Sequence, residues 1–117
     1  MLYPCYLPGG ERLETGSVAN VDPTGRQAVE FVFAGPFDMT IRQSQLPPPV
    51  NPDPAGASRT TIDLFPNVQA IFIQVNDGSG KAMYHLFWTR GGIFYELQAY
   101  GPALQQRTIL QVATSLE

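Results

Sequence analysis

Residues 82–100, AMYHLFWTRGGIFYELQAY, restrict the fold of this chain more than any other stretch, because they read as two strands turned on Gly91 and Gly92. A tight two-residue turn between strands needs positive φ, which glycine adopts without steric cost. With those glycines as the loop, Arg90 lies opposite Ile93, Trp88 opposite Tyr95, Leu86 opposite Leu97 and Tyr84 opposite Ala99. One face of the hairpin is then apolar, and the other carries His85, Phe87, Thr89, Phe94, Glu96 and Gln98. A loop longer by two residues would change the register but leave every side chain on its face, since side chains alternate with a period of two.

The rest of the chain supplies a sheet for this hairpin to join. Residues 27–34 (QAVEFVFA) put Val29, Phe31 and Phe33 on one side, and residues 37–43 (FDMTIRQ) put Phe37, Met39 and Ile41 inward with Asp38, Thr40 and Arg42 outward. Residues 11–18 alternate loosely after an aromatic, turn-rich opening, and Asp22-Pro23-Thr24-Gly25 reads as a turn joining two neighbouring strands. Residues 60–64 and 69–75 are two more strands, separated by Phe65-Pro66-Asn67. Residues 46–59, with Pro47-Pro48-Pro49 and Asn51-Pro52-Asp53-Pro54, hold too many prolines for helix or ladder and read as a long surface loop. Such a loop is either a solvated excursion between strands or a proline-rich ligand for an aromatic groove.

At the C-terminus the period changes. Ile109, Val112, Ala113 and Leu116 recur at three and four residues while Gln105, Gln106, Gln111 and Ser115 stay polar, which predicts an amphipathic helix over about residues 103–116, with Pro102 near its first turn. The expected fold is α+β: an antiparallel, curved sheet of about five to seven strands with the C-terminal helix packed on the Leu86, Trp88 and Tyr95 face. At 117 residues the chain is expected to be a single domain over residues 1–117.

Composition excludes several kinds of function. A net charge of −3, with one lysine and six scattered arginines, provides no basic stripe for nucleic acid. No apolar run approaches the roughly 20 residues that span a bilayer, and no charged, then apolar, leader opens the chain. The chain therefore reads as a soluble piece. The lone Cys5 and the lone His85 cannot form an intramolecular disulfide or a Cys/His metal cluster, so no metal or cofactor is expected. Residues 76–81, NDGSGK, read as a polar turn; their Gly80-Lys81 lacks the spacing of a phosphate loop, and a strand follows where a helix should start.

Three motifs, in order, carry a resemblance. They are Pro4-Cys5-Tyr6-Leu7-Pro8-Gly9-Gly10 at the start; Leu86-Phe87-Trp88, Gly91-Gly92 and Tyr95-Glu96-Leu97 in the hairpin; and Ala113-Thr114-Ser115-Leu116 at the end. In these the chain resembles a bacterial domain family of unknown biochemical function. That family forms the C-terminal, extracytoplasmic part of membrane-anchored lipoproteins and anti-sigma-factor-type regulators, and is distantly similar to lipoprotein carriers. The resemblance implies an extracytoplasmic (periplasmic or cell-surface) location within a membrane-anchored parent, from which this chain is expected to be a piece whose Met1 and Glu117 are not native ends. It carries over no catalytic residue, because the shared positions look like turn and core positions.

Two sets of residues are candidates for function. His85 shares a face with Glu96, directly across or one diagonal away, so a carboxylate-oriented base or a pH-sensitive contact is one reading and a solvated cross-strand pair the other. No nucleophile is set beside it by any motif, so no catalytic site is expected and the chain reads as a non-enzyme. The second set is the face bearing Met83, His85, Phe87, Phe94 and Tyr100, which is more apolar than a fully exposed surface. Either the N-terminal segment or the proline-rich loop covers it, or it binds something. The expected function is a sensing or interaction module with a protein partner; the alternative is a carrier of an apolar ligand such as a lipid or acyl chain.

Overall fold

A computed structural model of the chain describes residues 4–20, 27–45, 57–76, 81–102 and 104–116. The strands are β1 (Arg12–Asn20), β2 (Gln27–Ala34), β3 (Asp38–Ser44), β4 (Ser58–Phe65), β5 (Val68–Asn76), β6 (Lys81–Arg90) and β7 (Ile93–Pro102), and they are followed by one helix, α1 (Gln106–Thr114). All seven strands form one antiparallel sheet in the order β1-β2-β3-β7-β6-β5-β4. The chain therefore lays down three strands as a meander, crosses to the far edge, and returns as a four-stranded meander whose last strand closes onto β3. This is the α+β class expected, at the upper end of the expected strand number.

The β6–β7 hairpin has the register that its glycines dictate, with Arg90 opposite Ile93, Trp88 opposite Tyr95, Leu86 opposite Leu97 and Tyr84 opposite Ala99. Gly91 and Gly92 both have positive φ, 61° and 79°, the combination that a type I′ turn requires and that matches the twist of the strands. The β4–β5 turn uses the other economical solution. Pro66 is followed by Asn67 at φ 62°, a pairing suited to a type II turn, because proline presets the first corner and asparagine tolerates the left-handed second.

The core lies between α1 and one face of the sheet. Phe72, Leu86, Leu97, Ile41, Met39 and Phe33 are buried there, and Ile109, Val112 and Ala113 of α1 join the same cluster together with Leu104 and Leu116. Each fully buried Leu or Ile contributes roughly 1.5–3 kcal/mol by leaving water. The helix has nine residues and no side-chain cap at Gln105, so packing rather than intrinsic propensity holds it. Tyr84 adds a directional tie, donating its hydroxyl proton to the Leu104 carbonyl at 3.0 Å just before α1 begins.

Two boundaries differ from expectation. The helix covers Gln106–Thr114 rather than 103–116, because β7 runs on to Pro102, which pairs with Lys81; proline here ends a strand instead of starting a helix. The stretch read as loop to residue 59 gives way at Ser58, since Ser58 and Arg59 already pair with Gln74 and Ile73 of β5. β1 and β2 are neighbours as the expected turn at 22–25 requires, though that turn lies outside the described residues. The proline-rich residues 46–56, residues 77–80 of the polar turn, and Met1 and Glu117 also lie outside them.

Candidate functional site

The face opposite α1 is built by the alternate residues of the same strands. Across β5, β6, β7 and β3 the register aligns Ile71, Phe87, Glu96 and Arg42 in one row, and Ile73, His85, Gln98 and Thr40 in the next. A third row holds Val75, Met83, Tyr100 and Asp38, while Phe94 stands between Thr89 and Ser44. The five residues singled out from the sequence thus do share one face. Met83 and Tyr100 are directly opposed, and Phe87 and Phe94 are a diagonal step apart. All five are half-buried.

The surface is graded rather than uniform. Its β5–β6 side is apolar, with Ile71 37% exposed and Ile73 buried between Arg59 and His85 in the register. Toward β3 and β2 it becomes charged, where Glu96 faces Arg42 and Arg42 faces Glu30. Sequence reading missed this gradient, because the order of β7 next to β3 decides it and no local pattern encodes that order. Ile71, Ile73 and Val75 were legible as one strand face, but only the β5–β6 register sets them beside Phe87, His85 and Met83.

His85 occupies the centre of the apolar side. Gln98 stands directly across from it, and Glu96 lies one diagonal away, opposite Phe87. The imidazole meets the Phe87 ring edge-on at 5.5 Å between centroids. Its Nε2 is buried and has no hydrogen-bond partner among the described residues. A general base needs an exchangeable proton within reach and a group that orients it, and this nitrogen is enclosed by its neighbours instead. Cys5 is exposed and lies on the other side of the sheet, where its N–H donates to the Ser115 carbonyl at the end of α1. Cys5 and His85 are therefore not brought together.

The described part of the N-terminal segment, from Pro4 on, lies on the α1 side rather than over this face. Leu7 packs on the core cluster on the α1 side, and Tyr6 N–H donates to Ser115 Oγ at 3.1 Å. Two surface grooves formed by described residues lie elsewhere, one at the β4–β5 turn around Phe65, Pro66 and Asn67 and one along the outer side of α1 at Arg107, Leu110 and Gln111. No three His, Cys, Asp or Glu side chains among the described residues cluster as a metal site. Among the same residues no helix is long and apolar enough to cross a membrane.

No family model, curated protein or solved structure matches this chain.

Proposed function

We propose that the domain is a non-enzymatic interaction or sensing module that meets a protein partner through the sheet face opposite α1. The observation that carries this reading is the half-exposed group formed by Met83, Phe87, Phe94 and Tyr100 around His85, on the face that α1 leaves free. Aromatic side chains supply much of the energy at interface centres because they bury a large area at small entropic cost. The neighbouring Glu96 and Arg42 would form a polar rim that sets orientation. The enclosed Nε2 of His85, away from Cys5, supports a non-catalytic role. Placement of the domain outside the cytoplasm, in a membrane-anchored bacterial parent, rests on the resemblance of the three motifs.

A carrier of an apolar ligand is the second reading, favoured by the aliphatic side formed by Ile71, Ile73 and Val75 beside Phe87 and Met83. One double variant tests both. Phe87→Ser with Phe94→Ser should leave the far-ultraviolet spectrum native, since both side chains are half-buried and face away from α1, yet lower affinity for the native partner at least about tenfold. Loss of co-purifying lipid instead of partner protein would favour the carrier. A folded double variant with unchanged binding of both would remove this face as the site.

A further inference from the structure

The opening motif, residues 4–10, is left unexplained by an interaction face on the opposite side of the sheet. It forms a strap fixed at both ends. At one end Pro4 forms a β-bridge with Leu116, Cys5 N–H donates to the Ser115 carbonyl at 3.0 Å, and Tyr6 N–H donates to Ser115 Oγ at 3.1 Å. At the other end Glu11 N–H donates to the Pro8 carbonyl at 3.0 Å, closing a turn over Gly9 and Gly10. The Glu11 side chain, 9% exposed, then reaches the β2–β3 turn, where one carboxyl oxygen accepts the Phe37 N–H at 3.2 Å.

The second carboxyl oxygen, Oε2, is buried with no hydrogen-bond partner among the described residues. Gly35 makes room for it: a Cβ added there would stand 2.9 Å from Oε2 and 2.5 Å from the Gly10 carbonyl oxygen. Phe37, whose N–H binds the other oxygen, is wedged against Gly101 of β7, where an added Cβ would collide with its own Cβ. The carboxyl group therefore sits at a joint of strap, β2–β3 turn and β7. An ionised carboxylate offers only acceptors, and an enclosed oxygen with no donor is unfavourable; a proton removes the charge that burial penalises.

We propose that Glu11 is an acid-tightened clasp, holding the strap firmly on the β2–β3 turn when Oε2 is protonated and loosening the strap, with the end of α1 tied to it, when the carboxylate forms. Burial pushes the Glu11 carboxyl above its ordinary value of 4.5; the Phe37 N–H works against that rise and the neighbouring Asp38 carboxylate adds to it. Asp38 begins β3, with Tyr100 of β7 opposite it in the register; Arg12 and Glu14 of β1 follow Glu11, and Phe37 meets the uncharged Gly101 of β7. A released strap titrates at the ordinary value and a docked one above it. Docking is thus favoured fully below 4.5, and the advantage is lost as pH rises through the docked value.

Amide hydrogen exchange of the whole chain tests this at Cys5, Tyr6, Glu11 and Phe37, with Glu11→Gln as reference so that the intrinsic pH dependence of exchange cancels. The wild-type strap should match Glu11→Gln near pH 4 and be severalfold less protected than it near pH 8, because glutamine keeps the acceptor and adds a donor without charge. Asp38→Asn should move the wild-type transition to lower pH, and this comparison decides the matter alone if Glu11→Gln does not fold. A protection ratio that does not change with pH, or an unshifted transition in Asp38→Asn, overturns the proposal.

Discussion

Tyr84 and His85 are adjacent on β6 and show how differently one strand treats two polar rings. Tyr84 faces α1, packs on Phe72 at 5.3 Å between centroids and places its hydroxyl on the Leu104 carbonyl, so a buried polar atom is satisfied. His85 faces away and its buried Nε2 has no partner among the described residues. Leaving a buried polar atom unpaired costs about 1–3 kcal/mol, whereas replacing it by an apolar group of similar shape is close to neutral or favourable. His85→Phe is accordingly expected to melt at or above the wild-type temperature, and a drop of several degrees by calorimetry would reveal a hydrogen bond or charge that stabilises the fold. The face of each residue was legible from strand alternation. Their partners were not, because Leu104 is twenty residues from Tyr84 and the environment of His85 depends on β5. Burial of Glu11 was less legible still: it opens a run that alternates only loosely, and the contact that encloses it comes from Gly35 and Phe37.

At the scale of elements, local chemistry predicted well where it was strongest. Two glycines at positive φ set the β6–β7 register, and the 3–4 spacing of Ile109, Val112, Ala113 and Leu116 identified the helix and its buried stripe. The start of α1 was misplaced because Pro102 suits a first helical turn as well as a strand end, and only the ladder with β6 distinguishes the two. Both edge strands carry an irregularity near one end, between Leu13 and Thr15 in β1 and between Asp63 and Phe65 in β4. Bulges of this kind bend an edge away from further pairing. The helix stripe gives the direct energetic test. Val112 is fully buried, so Val112→Asp should destabilise the domain by roughly 3–5 kcal/mol through an unpaired buried charge. An unchanged thermal melt would mean that α1 does not pack where described.

For the whole molecule, the proposed interaction role rests on seven strands forming one sheet while one described helix covers one side of it. Alternation alone separated the two faces, so the existence of a second apolar face could be read from the hairpin. Strand order could not, because the step from β3 to the far edge at β4 leaves no periodic trace, and that step places the aliphatic β5–β6 side beside the charged β7–β3 side. The most direct measurement is site-specific photocrosslinking in the native protein, with a photoreactive residue at Phe87 or Phe94 on the face opposite α1 and at Gln106 or Gln111 on the exposed side of α1. The interaction-module account predicts a discrete protein adduct from positions 87 and 94 and none from 106 and 111. An adduct formed only from the helix positions, or none from either face, would contradict it.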